Sequence, residues 1–183
     1  MQIFDDTGTV RIEDDVATLI FVRRLAHPIE RVWQAITDPE HRARWFGQTT
    51  IEPRAGGMIE TDPDDPPVPT SAKHMSGRIV VWDPPHVLGH EWHQAIVSAS
   101  MVRYELVSDG DGTVLTFSHS GLKPHDARGF VPGTHAYLDR PDCTFGRYRY
   151  PGVVRALRGR RPALHLKAGL ARQGWMPCPS ANG

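Results

Sequence analysis

This sequence predicts an α+β fold in which a curved antiparallel sheet closes over a C-terminal helix, and three observations carry that prediction. The ten residues from Val16 to Leu25 (VATLIFVRRL) are rich in β-branched and aromatic side chains, as suits a long strand. Directly afterwards Ile29, Val32, Trp33 and Ile36 recur at helical spacing. Between residues 77 and 119 short β-rich runs alternate with Asp-Pro-Pro and Asp-Gly turns, and a helical pattern returns only from Pro132. Helices gathered at the two ends of a meander pack on one face of its sheet, so the sheet should wrap the last of them.

Taken in order, residues 1–15 are mixed and acidic, with a turn at Asp6-Thr7-Gly8 and a short strand through Val10 and Ile12. The long strand at 16–25 runs into a helix. Pro28 suits its first position, because proline lacks an N–H that would find no partner there. Its apolar stripe of Ile29, Val32, Trp33 and Ile36 needs a core, while Glu30, Arg31 and Gln34 face away. Asp38 is placed to cap a second helix that starts at Pro39, and Gly47 is placed to end it in the left-handed conformation. Two short helices therefore meet at an elbow, and the second delivers the apolar pair Trp45-Phe46.

Thr49 to Glu52 and Gly57 to Thr61 then form a hairpin, and the proline- and acid-rich stretch Asp62 to Pro69 reads as a loop. Gly77 to Trp82, Val87 to His93, Met101 to Val107 and Thr113 to His119 are four strands. The turn at Ser108 to Gly112 contains Asp-Gly steps that tolerate positive φ. In that last hairpin Val102, Tyr104 and Leu106 share one face, as do Leu115, Phe117 and His119. Matching these faces pairs Leu106 with Leu115 and Tyr104 with Phe117, and sets His119 near Val102 on the concave side. Pro132 opens a helix carrying Tyr137 and Leu138, which Pro141 ends.

The length, 183 residues, suits one domain with an appendage. Lys plus Arg and Asp plus Glu both number 21, so no bulk charge favours nucleic acid or a membrane. The distribution is uneven: residues 141–183 hold eight Lys and Arg against one acid, Asp142, giving that tail +7 and the remainder −7. Its glycine and proline content points to a poorly ordered, solvated segment, with phosphate binding by its arginines as the other reading. No run approaches the roughly 18 apolar residues of a membrane helix and no signal peptide is evident, so a cytoplasmic protein is expected. Cys143 and Cys178 lack the spacing of a metal or redox motif.

The segments Arg23 to Trp33, Thr37-Asp38-Pro39-Glu40 and Arg44-Trp45-Phe46 together resemble the N-terminal signature of the bacterial homologues of the heat-shock protein 90 ATPase activator. Trp82-Asp83-Pro84-Pro85 with Leu88 and Trp92, and Asp109 to Thr113 leading to Thr116 through Leu122, agree with it. The resemblance covers roughly residues 8–140. It implies the START-like helix-grip fold of the SRPBCC superfamily, in which sheet and C-terminal helix enclose a cavity. Members range from lipid and hormone carriers to cyclases and co-chaperone domains, so the fold does not fix the activity. The resemblance brings no shared catalytic motif and no cofactor. The sequence departs from it at Pro141, beyond which the leucine-rich helical face is lost. A specialised extension and a shifted reading frame in GC-rich coding sequence both fit; the second accounts for the charge change and the lost periodicity together.

Ten histidines invite a metal site, and His90-Glu91-Trp92-His93 is the place to look. Side chains alternate along a strand, so His90 and His93 point to opposite faces and cannot share an ion. His119 is a candidate general base or ligand partner if it faces the cavity, or else it ties its strand to the 120–125 loop. Gly-x-Ser-x-Gly, phosphate-cradling glycine loops and Cys/His pairs are missing from the matched region, which disfavours nucleophilic hydrolases, nucleotide enzymes and Rossmann oxidoreductases. What remains is aromatic. Trp33 and Phe117 read first as core, whereas Trp45, Phe46, Trp92, Tyr104 and Tyr137 suit core and pocket wall equally. The pocket candidates are therefore Trp45, Phe46, Trp92, Tyr104, Phe117, His119 and Tyr137. The expected function is non-enzymatic binding of a small hydrophobic or amphipathic molecule. A chaperone-interacting module comes second, and a cyclase-type enzyme using a cavity histidine third.

Overall fold

The computed structural model describes residues 8–64 and 69–144, and expectations about the basic tail lie outside them. Eight strands form one antiparallel sheet: β1 (Thr9–Glu13), β2 (Val16–Leu25), β3 (Gly47–Ile51), β4 (Met58–Pro63), β5 (Met75–Asp83), β6 (Val87–Gln94), β7 (Val97–Asp109) and β8 (Gly112–Leu122). Their spatial order is β1-β2-β8-β7-β6-β5-β4-β3. Consecutive strands are neighbours except where β2 closes on β8, because the helices α1 (Ile29–Thr37) and α2 (Pro39–Arg42) carry the chain from β2 to the far edge. A short α3 (Thr70–Lys73) joins β4 to β5, and α4 (Pro124–Thr144) follows β8.

The β1–β2 turn places Asp14 and Asp15 at φ 46° and 63°, and the short polar side chain of Asp tolerates that region. In the β7–β8 hairpin Tyr104 pairs with Phe117, Leu106 with Leu115 and Val102 with His119, the register the alternation demands. That register sends Val102, Tyr104, Leu106, Leu115, Phe117 and His119 to one buried face. Leu19 and Phe21 of β2 and Leu88, His90 and Trp92 of β6 extend it. On α1 the stripe of Ile29, Val32, Trp33 and Ile36 is buried, with Trp33 edge-on to Trp82 at 5.1 Å. Each large apolar side chain so covered contributes about 1.5–3 kcal/mol.

Several boundaries differ from the sequence reading, each for a local reason. Pro28 is extended (φ −58°, ψ 151°) and caps α1 from outside, its carbonyl accepting from Arg31 and Val32. Gly47 does not end α2 but opens β3. Its φ of 143° and the 2.2 Å between an added Cβ and the Asp62 carbonyl leave room only for glycine. Strand β4 reaches Pro63, two residues into the expected loop, and Thr70–Lys73 is a helical turn. Strands β7 and β8 outrun their predicted ends through pairing with each other.

The C-terminal helix departs most. It begins at Pro124, a favoured first position, and continues through both Pro132 and Pro141 to Thr144. An interior proline removes one hydrogen bond and costs about 3 kcal/mol in an isolated helix. Here tertiary contacts outweigh that penalty: Ala127 and Leu138 are buried against the sheet. The buried Arg23 of β2 reaches α4 as well, its Nε donating to Asp139 Oδ1 at 3.0 Å and its Nη2 lying 2.7 Å from His135 Nδ1.

Candidate functional site

The first wall of the site comes from the elbow. A helix leaves its last carbonyls without intrahelical donors, and two side chains of the following segment supply them. Trp45 Nε1 donates to Ala35 O at 2.8 Å, and Arg42 Nη1 to Ile36 O at 2.9 Å. Arg42 Nε reaches Thr49 Oγ1 at 3.2 Å, tying the elbow to β3. Asp38 caps α2 by accepting from His41 N at 3.0 Å. These bonds fix Trp45 and Phe46 side by side, with the Arg42 guanidinium 4.9 Å from the centre of the Phe46 ring.

The second wall is the concave face of the sheet. Tyr104 and Phe117, paired in register, meet edge to face at 5.2 Å. Trp92 lies 5.2 Å from His119, whose Nε2 is 2.8 Å from Ser100 Oγ on the neighbouring strand. His119 is thus tied to β7, not to the 120–125 loop as one reading of the sequence had it. The third wall is α4, where Phe130 packs against Trp92 and His119, and Tyr137 stands edge-on to Phe46 at 4.8 Å. Gly129 and Gly133 also face this space, and a Cβ added at either would meet nothing within 4 Å.

Between the three walls lies a cavity of about 420 Å³. All seven pocket candidates, Trp45, Phe46, Trp92, Tyr104, Phe117, His119 and Tyr137, line it. Sequence reasoning missed Gln94 and Lys73 at its rim. Gln94 accepts from Trp92 Nε1 at 3.1 Å and donates to Ala72 O of α3 at 3.2 Å, while Lys73 Nζ donates to Asp64 O at 2.8 Å. Gln94 was not recoverable without knowing that α3 exists. Arg42 was missed too, although its i+3 and i+4 neighbours Trp45 and Phe46 signal that it shares their buried side.

The polar groups around this cavity are unusual in sign and in partners. Among the described residues no Asp or Glu lines it. Arg42 is fully buried, lies in no ion pair with a described carboxylate, and its Nη2 has no hydrogen-bond partner. Burial lowers its affinity for the proton, opposed by the Tyr104 hydroxyl beside it; guanidinium groups nonetheless stay charged in proteins. Burial likewise raises the Tyr104 phenol. His90, fully buried, has Nδ1 2.7 Å from its neighbour's carbonyl, Glu91 O, while Nε2 is unpartnered. Burial, assisted by Arg42, lowers His90 to about 4, and burial with His90 nearby lowers His119 to about 4. Both imidazoles are therefore neutral at pH 7. His93 is exposed on the opposite face from His90, as alternation requires, and the described residues hold no cluster of metal-ligating side chains.

A family model described as Activator of Hsp90 ATPase homolog 1-like protein matches residues 26–142. CalU16 from Micromonospora echinospora has the same fold, with a TM-score of 0.64 and 24% identity over 80% of this chain and 88% of its own. Protein MLL2253 from Mesorhizobium loti reaches 0.64 at 20% identity, covering 73% and 99% of the two chains. DynU16, from the dynemicin biosynthetic locus, reaches 0.59 at 21% identity over 70% of this chain and 46% of that one. No curated protein matches the sequence. At these identities the solved structures establish a shared architecture, and the family match spans the elbow, the meander and α4.

Proposed function

The chain belongs to the Activator of Hsp90 ATPase homolog 1-like family, and on that basis we propose that it binds a small hydrophobic or amphipathic molecule between its sheet and α4. The cavity carries this reading. Ligand sites typically occupy about 300–1,000 Å³, are lined by aromatic and aliphatic groups, and place a few polar groups among them. The space of about 420 Å³ here has that make-up, with Tyr104, His119 and Gln94 among its aromatic walls. A compact core would have filled such a volume, since interiors pack nearly as densely as organic crystals. We assign this work to a domain of residues 1–140.

A thermal-shift and native mass-spectrometry screen against lipids, polyketides and aromatic metabolites tests the reading. At a hundredfold excess over its Kd, a ligand stabilises by about 2.7 kcal/mol, or several degrees in Tm. At least one class is expected to shift the melting curve and to survive as a one-to-one complex; no response from any class overturns the reading.

The family match favours a second reading, a module that acts on a chaperone. Adding the full chain to the cognate bacterial heat-shock protein 90 should then change its ATPase rate, and an unchanged rate rejects it. A cyclase-type reaction ranks third. His119 is neutral and sits on the wall, but Ser100 already engages its Nε2 and no described carboxylate faces the space to share proton transfer.

A further inference from the structure

The buried polar groups narrow the class of ligand, on the reading that the cavity is a ligand site. Arginine has donors and no acceptor. The buried Arg42 charge acts on the Tyr104 phenol beside it, and a positive charge there turns the phenol oxygen towards it and leaves the Tyr104 O–H to donate elsewhere. No described residue accepts it, and Tyr104 lines the cavity. Beside Tyr104 stands the Arg42 guanidinium, whose described hydrogen-bond partners, Thr49 Oγ1 and Ile36 O, are not carboxylates and whose Nη2 is unsatisfied. A buried charge without a counterion carries a desolvation cost that nearby negative charge relieves. Among the described residues the cavity wall contains no acid that does so, and the charged side chain at its rim, Lys73, is also positive. Ile36 O, at the negative end of α1, offsets the charge only in part, since a helix terminus supplies about half a unit.

We propose that the cavity selects an aromatic acid: the apolar body lies between Phe46, Trp92 and Phe130, and an anionic oxygen accepts from Tyr104 Oη above the Arg42 charge. Tyr104 is then the specificity-determining residue. Arg42 is a positioning residue that polarises the phenol and never touches the ligand. The step is recognition alone, with no bond made or broken.

Three probes of one size separate the possibilities by calorimetry on the full chain: 1-naphthoate, 1-methylnaphthalene and 1-naphthylmethylammonium. The carboxylate should bind about tenfold or more tightly than the hydrocarbon, as suits a hydrogen bond to a charged group, and the ammonium should bind weakest. In Tyr104→Phe the preference for naphthoate should fall to about twofold, since a single donor has been removed, with methylnaphthalene affinity retained. Equal binding of acid and hydrocarbon, or tighter binding of the ammonium, overturns the proposal while leaving the cavity as a ligand site. A preference that survives Tyr104→Phe overturns the role of Tyr104. Failure of all three probes overturns this proposal, while the ligand-site reading beneath it stands or falls on the wider screen. The order of the three probes on the wild-type chain needs no variant, so the proposal stays testable if Tyr104→Phe does not fold.

Discussion

The elbow and α4 cover opposite sides of the same sheet face, and they do so by different means. In the elbow every device points the same way. The α1 stripe is amphipathic, Asp38 caps α2, and Trp45 and Arg42 satisfy carbonyls at the end of α1 while filling the space beneath it. In α4 the sequence works against its own helix, with Gly129, Pro132, Gly133 and Pro141 inside it. That helix is held from outside, by Ala127, Leu138 and the Arg23 contacts with Asp139 and His135. The lesson is that filled and open parts of one interior differ in which side chains are missing. Gly129 and Gly133 of α4 line the cavity, and neither carries a side chain to fill it.

Truncation at the elbow should give the largest effect. Trp45→Ala removes a buried ring and the donor to Ala35 O, and a loss of about 3–5 kcal/mol in urea-unfolding stability is expected; a loss no greater than that of a surface change would break the contrast. Next comes pH. His90 and His119 titrate near 6.5 when unfolded and near 4 when folded, so the unfolded state binds more protons between those values. Their contribution is fully present above pH 6.5 and is lost as pH falls towards 4. About 2–3 kcal/mol for each histidine should disappear over that window, because one pKa unit corresponds to 1.36 kcal/mol. Denaturant midpoints across the window check the sign, and a stability that rises on acidification contradicts it.

Changes in α4 should go the other way. Pro132→Ala restores a helical hydrogen bond at an exposed position and should stabilise by up to about 3 kcal/mol. Gly133→Ala should add about 0.5–1 kcal/mol, since its new methyl group meets open space. Gains from both, set against a loss at Trp45, would sharpen the comparison; losses from both would show that the proline and glycine are needed where they stand. The smallest effect belongs to the exposed pair Arg24 and Asp109, 2.7 Å apart. Asp109→Ala should cost under about 1 kcal/mol.

What could be read from the sequence follows the same division. Val16–Leu25 was legible to the residue because five of its ten side chains are β-branched or aromatic, and the Tyr104–Phe117 register followed from alternation alone. Six of the pocket candidates were singled out as aromatics that needed cover and His119 as a histidine on the concave side, although nothing in the sequence could say that cover would be incomplete. The start of α4 at Pro124 was hidden because Gly129, Pro132 and Gly133 erase the apolar period, and the contacts that hold the helix are long-range. Arg42 was hidden by the usual expectation that arginine stays wet. Its burial depends on Thr49, Tyr104 and the end of α1, three places that no local window joins.

The junction of β2 with β8 sets an order on assembly. Phe21 pairs with Phe117, so the edge of β2 that receives β8 remains open until nearly the whole sheet has left the ribosome. Loop closure on that scale must precede the contacts that reward it, which places the last closure among the slow, non-local steps of folding. Until then the β1–β2 hairpin presents an unpaired apolar strand, the state in which a nascent chain has most need of a chaperone.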